Sequence, residues 1–326
     1  MTISFCTQDN ILLSLQEKIM NLLDFGSYFP DEESCIEHFK AQREKQGVVC
    51  KKCNNTTHYW KKDKIAFQCK KCDYRTALRS GTVLENSHLP YLYWYKAILM
   101  LSATKKTFSA NEVQSQLRHD VYEPIWNMLH KIRIAMGKRD SRYKLSEYIE
   151  IDEGFFETVN LDDQNEGKLK RGRGSQKQAK VLVLIESFPV IEKLEKYKHK
   201  PDRNVGHVKM IVMNDLKSTS INKKVKDVVN KDTTVLSDAY NGYNDLQTLF
   251  KQHEIINTSS IKEVHKVLPW VHSAIGNAKK ILEGIHHSNG KDYLQNYLNE
   301  FCYKYNRRYF GEKIFDRLLV ACIDNA

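Results

Sequence analysis

No stretch of this 326-residue sequence approaches the roughly 20 consecutive apolar residues needed to cross a bilayer. A membrane-spanning role is therefore not expected. The N-terminus also lacks the basic opening of a secretory signal. "MTISFCTQDNILLSLQEKIMNLLDF" sets Asp9, Glu17 and Lys18 inside its apolar pattern and reads as an amphipathic helix. The expected setting is the cytoplasm, at the nucleoid of a bacterium, or the nucleus if the source is eukaryotic. Acid is in short supply, with 40 Asp and Glu against 51 Lys and Arg, a net charge of +11. The shortage is uneven: residues 40–80 hold twelve Lys/Arg and three Asp/Glu, +9 in one segment. So concentrated an excess points to a polyanion, with nucleic acid first. At 41% hydrophobic and 28% charged residues, the chain reads as soluble and globular, and it is long enough for more than one domain.

Of the eight cysteines, Cys6, Cys35, Cys302 and Cys322 are scattered and read as reduced and partly buried. The other four form a pattern. "CKKC" at 50–53 and "CKKC" at 69–72 are fifteen residues apart, within the spacing of a four-cysteine zinc site. Each CxxC turn offers two thiolates to one tetrahedral ion, and a hairpin between them closes the site. "HYWKKDKIAFQC" fits that hairpin, with Tyr59, Trp60, Ile65 and Phe67 as a small core. A closed four-cysteine site calls for one structural Zn²⁺. Lys51, Lys52, Lys70 and Lys71 within the knuckles suit contact with DNA phosphates.

Residues 88–139 carry helical periodicity. "SANEVQSQL" opens on a capping box, Ser109 with Glu112. "YEPIWNMLHKIRIAMGKR" then sets Ile125, Met128, Leu129, Ile132 and Met136 on one face, with Gly137 near the expected stop. Lys131 and Arg133 fall on other faces. A short helix before a longer basic one resembles a helix-turn-helix, whose second helix can enter a major groove.

From about residue 147 the period changes to that of strands. "EYIEIDEGFFE", "AKVLVLIES" and "HVKMIVM" read as three strands, "STSINKKVKDVVN" as a helix, and "TTVLSDAY" as a fourth strand ending in Asp238. "GYNDLQTLF" reads as a helix and "HEIINT" as a fifth strand, with helices at 270–285 and 289–308. That order is the order of an RNase H-like domain. In it Asp152 on the first strand and Asp238 on the fourth become neighbours, able to share divalent ions. A third ligand is expected from a later helix. "KLKRGRGSQKQAK", with Arg171 and Arg173, has six basic residues and no acid, and "YKYNRRYF" carries Arg307 and Arg308 among aromatics. Both suit DNA.

Taken together these stretches resemble the DDE transposases of bacterial insertion sequences that carry an N-terminal zinc ribbon, a group related to the eukaryotic Merlin elements. The resemblance rests on "FPDEESCIEHF", the paired "CKKC" knuckles, "MLHKIRIAMGKRD", "EIDEGFF", "KRGRG", "LSDAYNGY", "WVHSAIGNAKKILEGIHH" and "YLQNYLNEFCYKYNRR", in that order over nearly the whole chain. It implies metal-dependent cleavage at element ends and joining of the 3′-hydroxyl to target DNA. Asp152 and Asp238 match the first two catalytic acids, served by two Mg²⁺ or Mn²⁺. The third position varies in this group; the match falls on Asn277, with Lys279 two residues on and Lys280 beside it, one or the other to contact a phosphate near the cut. His272 and Glu283 compete for the place, and helix geometry lets only one of the three face the metals squarely.

The expected organisation is α/β multidomain: an N-terminal helical segment (1–45), a zinc ribbon (46–87), a helix-turn-helix region (88–142) and an RNase H-like catalytic domain (143–326). The expected partner is double-stranded DNA, terminal inverted repeats and target alike. Holding two ends together calls for a homodimer or higher oligomer. The alternative is a domesticated DNA-binding protein that no longer cuts.

Overall fold

The structure, a computed structural model, describes residues 20–158, 178–191, 195, 202–257, 268–286 and 290–324. Cys6, most of the expected N-terminal helix, and Arg171 and Arg173 lie outside the described residues. No described helix is long and apolar enough to cross a membrane.

The N-terminal part begins with α1 (Leu22–Tyr28) and α2 (Glu32–Gln46). Asp31 and Ser34 cap α2 reciprocally, satisfying backbone donors that a helix start leaves open. A three-stranded antiparallel ribbon follows: β1 (His58–Lys61), β2 (Ala66–Cys69) and β3 (Arg75–Ala77). Next come α3 (Tyr91–Ala103), α4 (Ala110–Leu117) and α5 (Tyr122–Ser141). The Ser109–Glu112 capping box forms as expected. One apolar cluster joins Phe39 of α2, Phe67 of the ribbon, Trp94 of α3 and Met128 of α5. The segments before residue 142 thus share a core.

The second part is a five-stranded sheet made of β4 (Tyr148–Glu157), β5 (Gln178–Pro189), β6 (Arg203–Met213), β7 (Thr234–Asp238) and β8 (Gln252–Ile256). Its order is β6-β5-β4-β7-β8. The first three strands are antiparallel, while β7 runs parallel to β4 and β8 to β7. The alternation along β5 shows why both faces are covered. Val181, Val183 and Ile185 meet α7 (Pro269–Ile285) and α8 (Lys291–Asn306) on one face. Leu182 and Leu184 meet α6 (Ser218–Val228) and a 3-10 stretch, Asn241–Thr248, on the other. This is the RNase H-like arrangement that the strand order implied.

Two features depart from expectation. Gly137 does not stop α5, which runs on to Ser141; a Cβ there would meet the Asn299 side chain at 2.3 Å, so the glycine allows close approach to α8. A last helix, α9 (Ile314–Ile323), returns from the catalytic part to the N-terminal core through Phe315, Leu318 and Cys322. Cys35, Cys302 and Cys322 are free and buried, and burial pushes the Cys35 thiol up to about 12.

Candidate active site and zinc ribbon

The two cysteine knuckles are built alike. In each, a residue just past the second cysteine adopts a left-handed conformation, Asn54 at φ 57° and Asp73 at φ 56°. Each of these returns its N–H to the first cysteine's carbonyl, at 2.9 and 3.1 Å. Asn and Asp accept that backbone better than other side chains. The turns set Cys50 Sγ 3.6 Å from Cys72 Sγ and Cys53 Sγ 3.5 Å from Cys69 Sγ, with all four sulfurs within 4.8 Å of one another. Zinc–sulfur bonds of about 2.3 Å put tetrahedral sulfurs roughly 3.8 Å apart, so the donors fit one structural Zn²⁺. The Lys71 N–H and Asn55 Nδ2 donate to Cys69 Sγ at 3.4 and 3.5 Å, as second contacts do at thiolate ligands. Lys51, Lys52, Lys70 and Lys71 are exposed around the knuckles. Tyr59 is not part of the ribbon core: it is 56% exposed, with Lys70 Nζ 4.7 Å from its ring.

In the sheet, β4 and β7 pair as Tyr148 with Thr234, Ile149 with Val235 and Glu150 with Leu236, a constant offset of 86. Two residues further, the same offset sets Asp152 beside Asp238 (152 + 86 = 238). Neighbouring strands lie about 4.8 Å apart, and both side chains fall on the α7 side of the sheet. Asp152 Oδ1 accepts from the Glu153 N–H at 2.8 Å, and Asp238 Oδ1 from the Tyr240 N–H at 3.1 Å. Behind them Tyr243 is buried and donates to Glu153 Oε2 at 2.8 Å. Burial raises the Tyr243 hydroxyl well above its usual range, helped by the negative charges of Glu153, Asp152 and Asp238.

Helix α7 is fixed over this pair from its first turn. Glu150 Oε2 accepts the N–H groups of Trp270 at 3.0 Å and Val271 at 2.9 Å. Burial pushes the Glu150 carboxyl up to about 7 in spite of those donors. A Cβ on Gly154 would collide with the Phe156 ring at 2.9 Å, while Ile275 of α7 would sit at ordinary contact distance, 3.4 Å. The next residue after the capped turn, His272, brings its Nδ1 to 3.4 Å from Asp152 Oδ2. Lys279 follows seven residues later, about 20° around the helix from His272, and its Nζ stands 5.7 Å from the Phe156 ring of β4.

Asn277 is therefore not the residue that α7 turns toward the aspartates. It stands about 140° around the helix from His272, is exposed, and lines a cavity against α8 together with Lys280. Glu283 shares the side of His272 but is exposed, and lies about 16 Å further along the axis. His272 is the residue in contact. Among the described residues only the four cysteines are compact enough to close on a single ion. Glu150 was not singled out in the sequence. Its signal was the alternation of "EIDEGFF", which sets it two residues before Asp152 on the same face of the strand.

Several residues assigned to DNA are used within the fold instead. Arg133 is 1% exposed and its Nε donates to Glu300 Oε2 at 2.8 Å, so it is a buried ion-pair partner, not a groove contact. Arg307 is 9% exposed and donates to Asp140 Oδ1 at 2.6 Å. Arg308 is half-buried and donates to the carbonyls of Val205, Gly206 and Tyr305. Lys131 donates to the Glu85 carbonyl at 2.7 Å. α4 and α5 pack against one another, and α5 buries Ile125, Leu129, Ile132, Arg133 and Met136. The outward residues Glu123, Asn127, Ile134 and Lys138 give it no basic reading face.

The strand order and the zinc knuckles define an RNase H-like chain with an N-terminal zinc ribbon. Residues 144–306 match the ISXO2-like transposase domain, half of the chain, and residues 30–75 match the transposase zinc-ribbon domain. The chain belongs to the ISXO2-like transposase family. No curated protein matches it. Among solved structures it is similar to the Mos1 strand transfer complex, at 11% identity and TM-score 0.28 over 66% of this chain and 73% of that one. It is also similar to the Mos1 mariner paired end complex with Mn, at 9% identity and TM-score 0.21 over 63% and 75%. At such TM-scores the likeness adds nothing to the topology above.

Proposed function

We propose that this transposase cleaves DNA at the ends of its element and joins the freed 3′-hydroxyl to target DNA. The observation that carries this reading is the 3.4 Å contact of His272 with Asp152, on the strand whose register sets Asp238 alongside. Asp152, Asp238 and His272 would hold Mg²⁺ or Mn²⁺. Ions bound there would stabilise charge on the attacking and leaving oxygens of a phosphodiester. An imidazole suits Mn²⁺ better than Mg²⁺, whose preferred ligands are oxygen. Lys279, on the His272 side of α7, meets a phosphate next to the scissile bond. Glu150 holds the first turn of α7 and so sets the position of His272.

The ribbon with Lys51, Lys52, Lys70 and Lys71 carries the first grip on DNA, through phosphates and not bases. Asn277 leaves the ligand set, and Lys280, about 80° around α7 from His272, remains a DNA contact. Two ends must be held together, so the working form is a homodimer or larger. The test uses a duplex carrying the sequences that flank the gene, incubated with protein and Mn²⁺ or Mg²⁺. Cleavage is expected in the wild type and absent in Asp152→Asn and Asp238→Asn; cutting by both variants would show that the site lies elsewhere.

A further inference from the structure

The residues of α7 that turn away from the aspartates line a cavity of about 390 Å³ between α7 and α8. That size lies within the range of small-ligand pockets. Its floor is aromatic, with Tyr297, Phe301 and Tyr305 from α8. The Phe301 and Tyr305 rings lie 5.8 Å apart, tilted by 33°, and the Arg308 guanidinium stands 4.6 Å from the Tyr305 ring. The single acid in the lining, Glu300, is already neutralised: Arg133 and Lys304 hold it at 2.8 and 2.7 Å. Burial would raise its carboxyl, but these cations bring it down to about 2. Lys105 and Lys280 at the rim are exposed and have no carboxylate partner among the described residues. Asn277, exposed beside Lys280, offers an amide donor and acceptor.

An aromatic floor under a cationic rim is the chemistry that takes a base by stacking and its phosphate by charge. The position fits as well. The cavity lies across α7 from His272, and a helix is about 10–12 Å wide. Stacked nucleotides advance about 3.4 Å each, so a strand whose scissile phosphate lies at Asp152 reaches the cavity within a few nucleotides. We propose that the cavity between α7 and α8 is a nucleotide pocket: an unpaired base near the cut stacks on Tyr305 and Phe301, and Lys105 and Lys280 hold its phosphate. This rests on the transposase reading above and adds a place where the strand leaves the duplex.

The experiment measures binding of fluorescent dT10 and of an abasic strand of equal length to the full chain in EDTA. Wild type is expected to prefer dT10 by roughly five- to 150-fold, the range for one stacked base. Tyr305→Leu should abolish that preference while leaving affinity for the abasic strand unchanged. Lys105→Gln with Lys280→Gln, two exposed positions, should weaken binding of both strands. Equal wild-type affinity for the two strands, or a preference that survives Tyr305→Leu, overturns the proposal. Metal-dependent nicking by the same preparations, which depends on Asp152 and Asp238, reports on the catalytic reading separately.

Discussion

Arg133→Met separates a structural arginine from a DNA contact. The substitution removes the guanidinium and keeps an apolar stem of similar length. It deletes the 2.8 Å bond to Glu300 and longer bonds to Thr107 Oγ1 (3.4 Å) and the Phe108 carbonyl (3.3 Å). Breaking a fully buried ion pair costs about 3–5 kcal/mol. Lys304 stays 2.7 Å from Glu300 and Thr107 still donates to it at 2.9 Å, so the lower figure, about 3 kcal/mol, applies. At about 2 °C per kcal/mol for a large chain, Tm should fall by roughly 6 °C. The pH dependence has a definite sign. The Glu300 carboxyl is held at about 2 in the folded state against 4.5 as its ordinary value. Its contribution is therefore present above pH 4.5 and lost as pH falls from there toward 2. The depression corresponds to about 3 kcal/mol in wild type and less in the variant. Thermal unfolding followed by circular dichroism between pH 3 and 7 measures both effects. A variant as stable as wild type at pH 7 that instead loses salt-dependent DNA affinity would refute the burial argument and restore Arg133 to the DNA surface.

Chelation of zinc, or Cys69→Ser, should unfold the ribbon and weaken DNA binding, and zinc content by atomic absorption should fall from one equivalent to near zero. Replacing Lys51, Lys52, Lys70 and Lys71 with Gln should flatten the dependence of log K on log salt by about 0.9 for each phosphate no longer neutralised, as read by fluorescence anisotropy. Glu150→Ala removes the acceptor for two N–H groups at the start of α7 and should cost about 1–2 kcal/mol in denaturant titration. His272→Glu should shift the metal preference in a cleavage assay from Mn²⁺ toward Mg²⁺, since it exchanges a nitrogen for an oxygen donor.

The zinc ribbon could be read from spacing because both knuckles are local: a few consecutive residues fix each turn, and one hairpin joins them. The sheet order could be read because β4, β5, β6 and β7 carry the period of strands, and the crossover helix between β6 and β7 makes β7 parallel to β4. Which residue of α7 faces the aspartates was not legible in the same way. Asn277 and His272 sit on the same helix, and the choice between them depends on how α7 is rotated over β4. That rotation is set at the start of the helix by Glu150, which takes the N–H groups of Trp270 and Val271 more than a hundred residues away in the chain. Arg133 was misplaced for the same reason. Its helix reads as basic by itself, and the acid that buries it, Glu300, lies 167 residues further on. Helix α9 escaped notice because ten apolar-rich residues near the C-terminus show their role only against the core of α3 and α5.

The central claim is that His272, with Asp152 and Asp238, forms the site that cuts DNA. The most direct measurement is the single-turnover nicking rate in Mn²⁺ of His272→Ala and Asn277→Ala on a duplex bearing the gene's flanking sequences. His272→Ala is expected to fall to background while Asn277→Ala retains a rate within about tenfold of wild type, about 1.4 kcal/mol of barrier for a side chain away from the reacting atoms. A dead Asn277→Ala beside an active His272→Ala would contradict that claim.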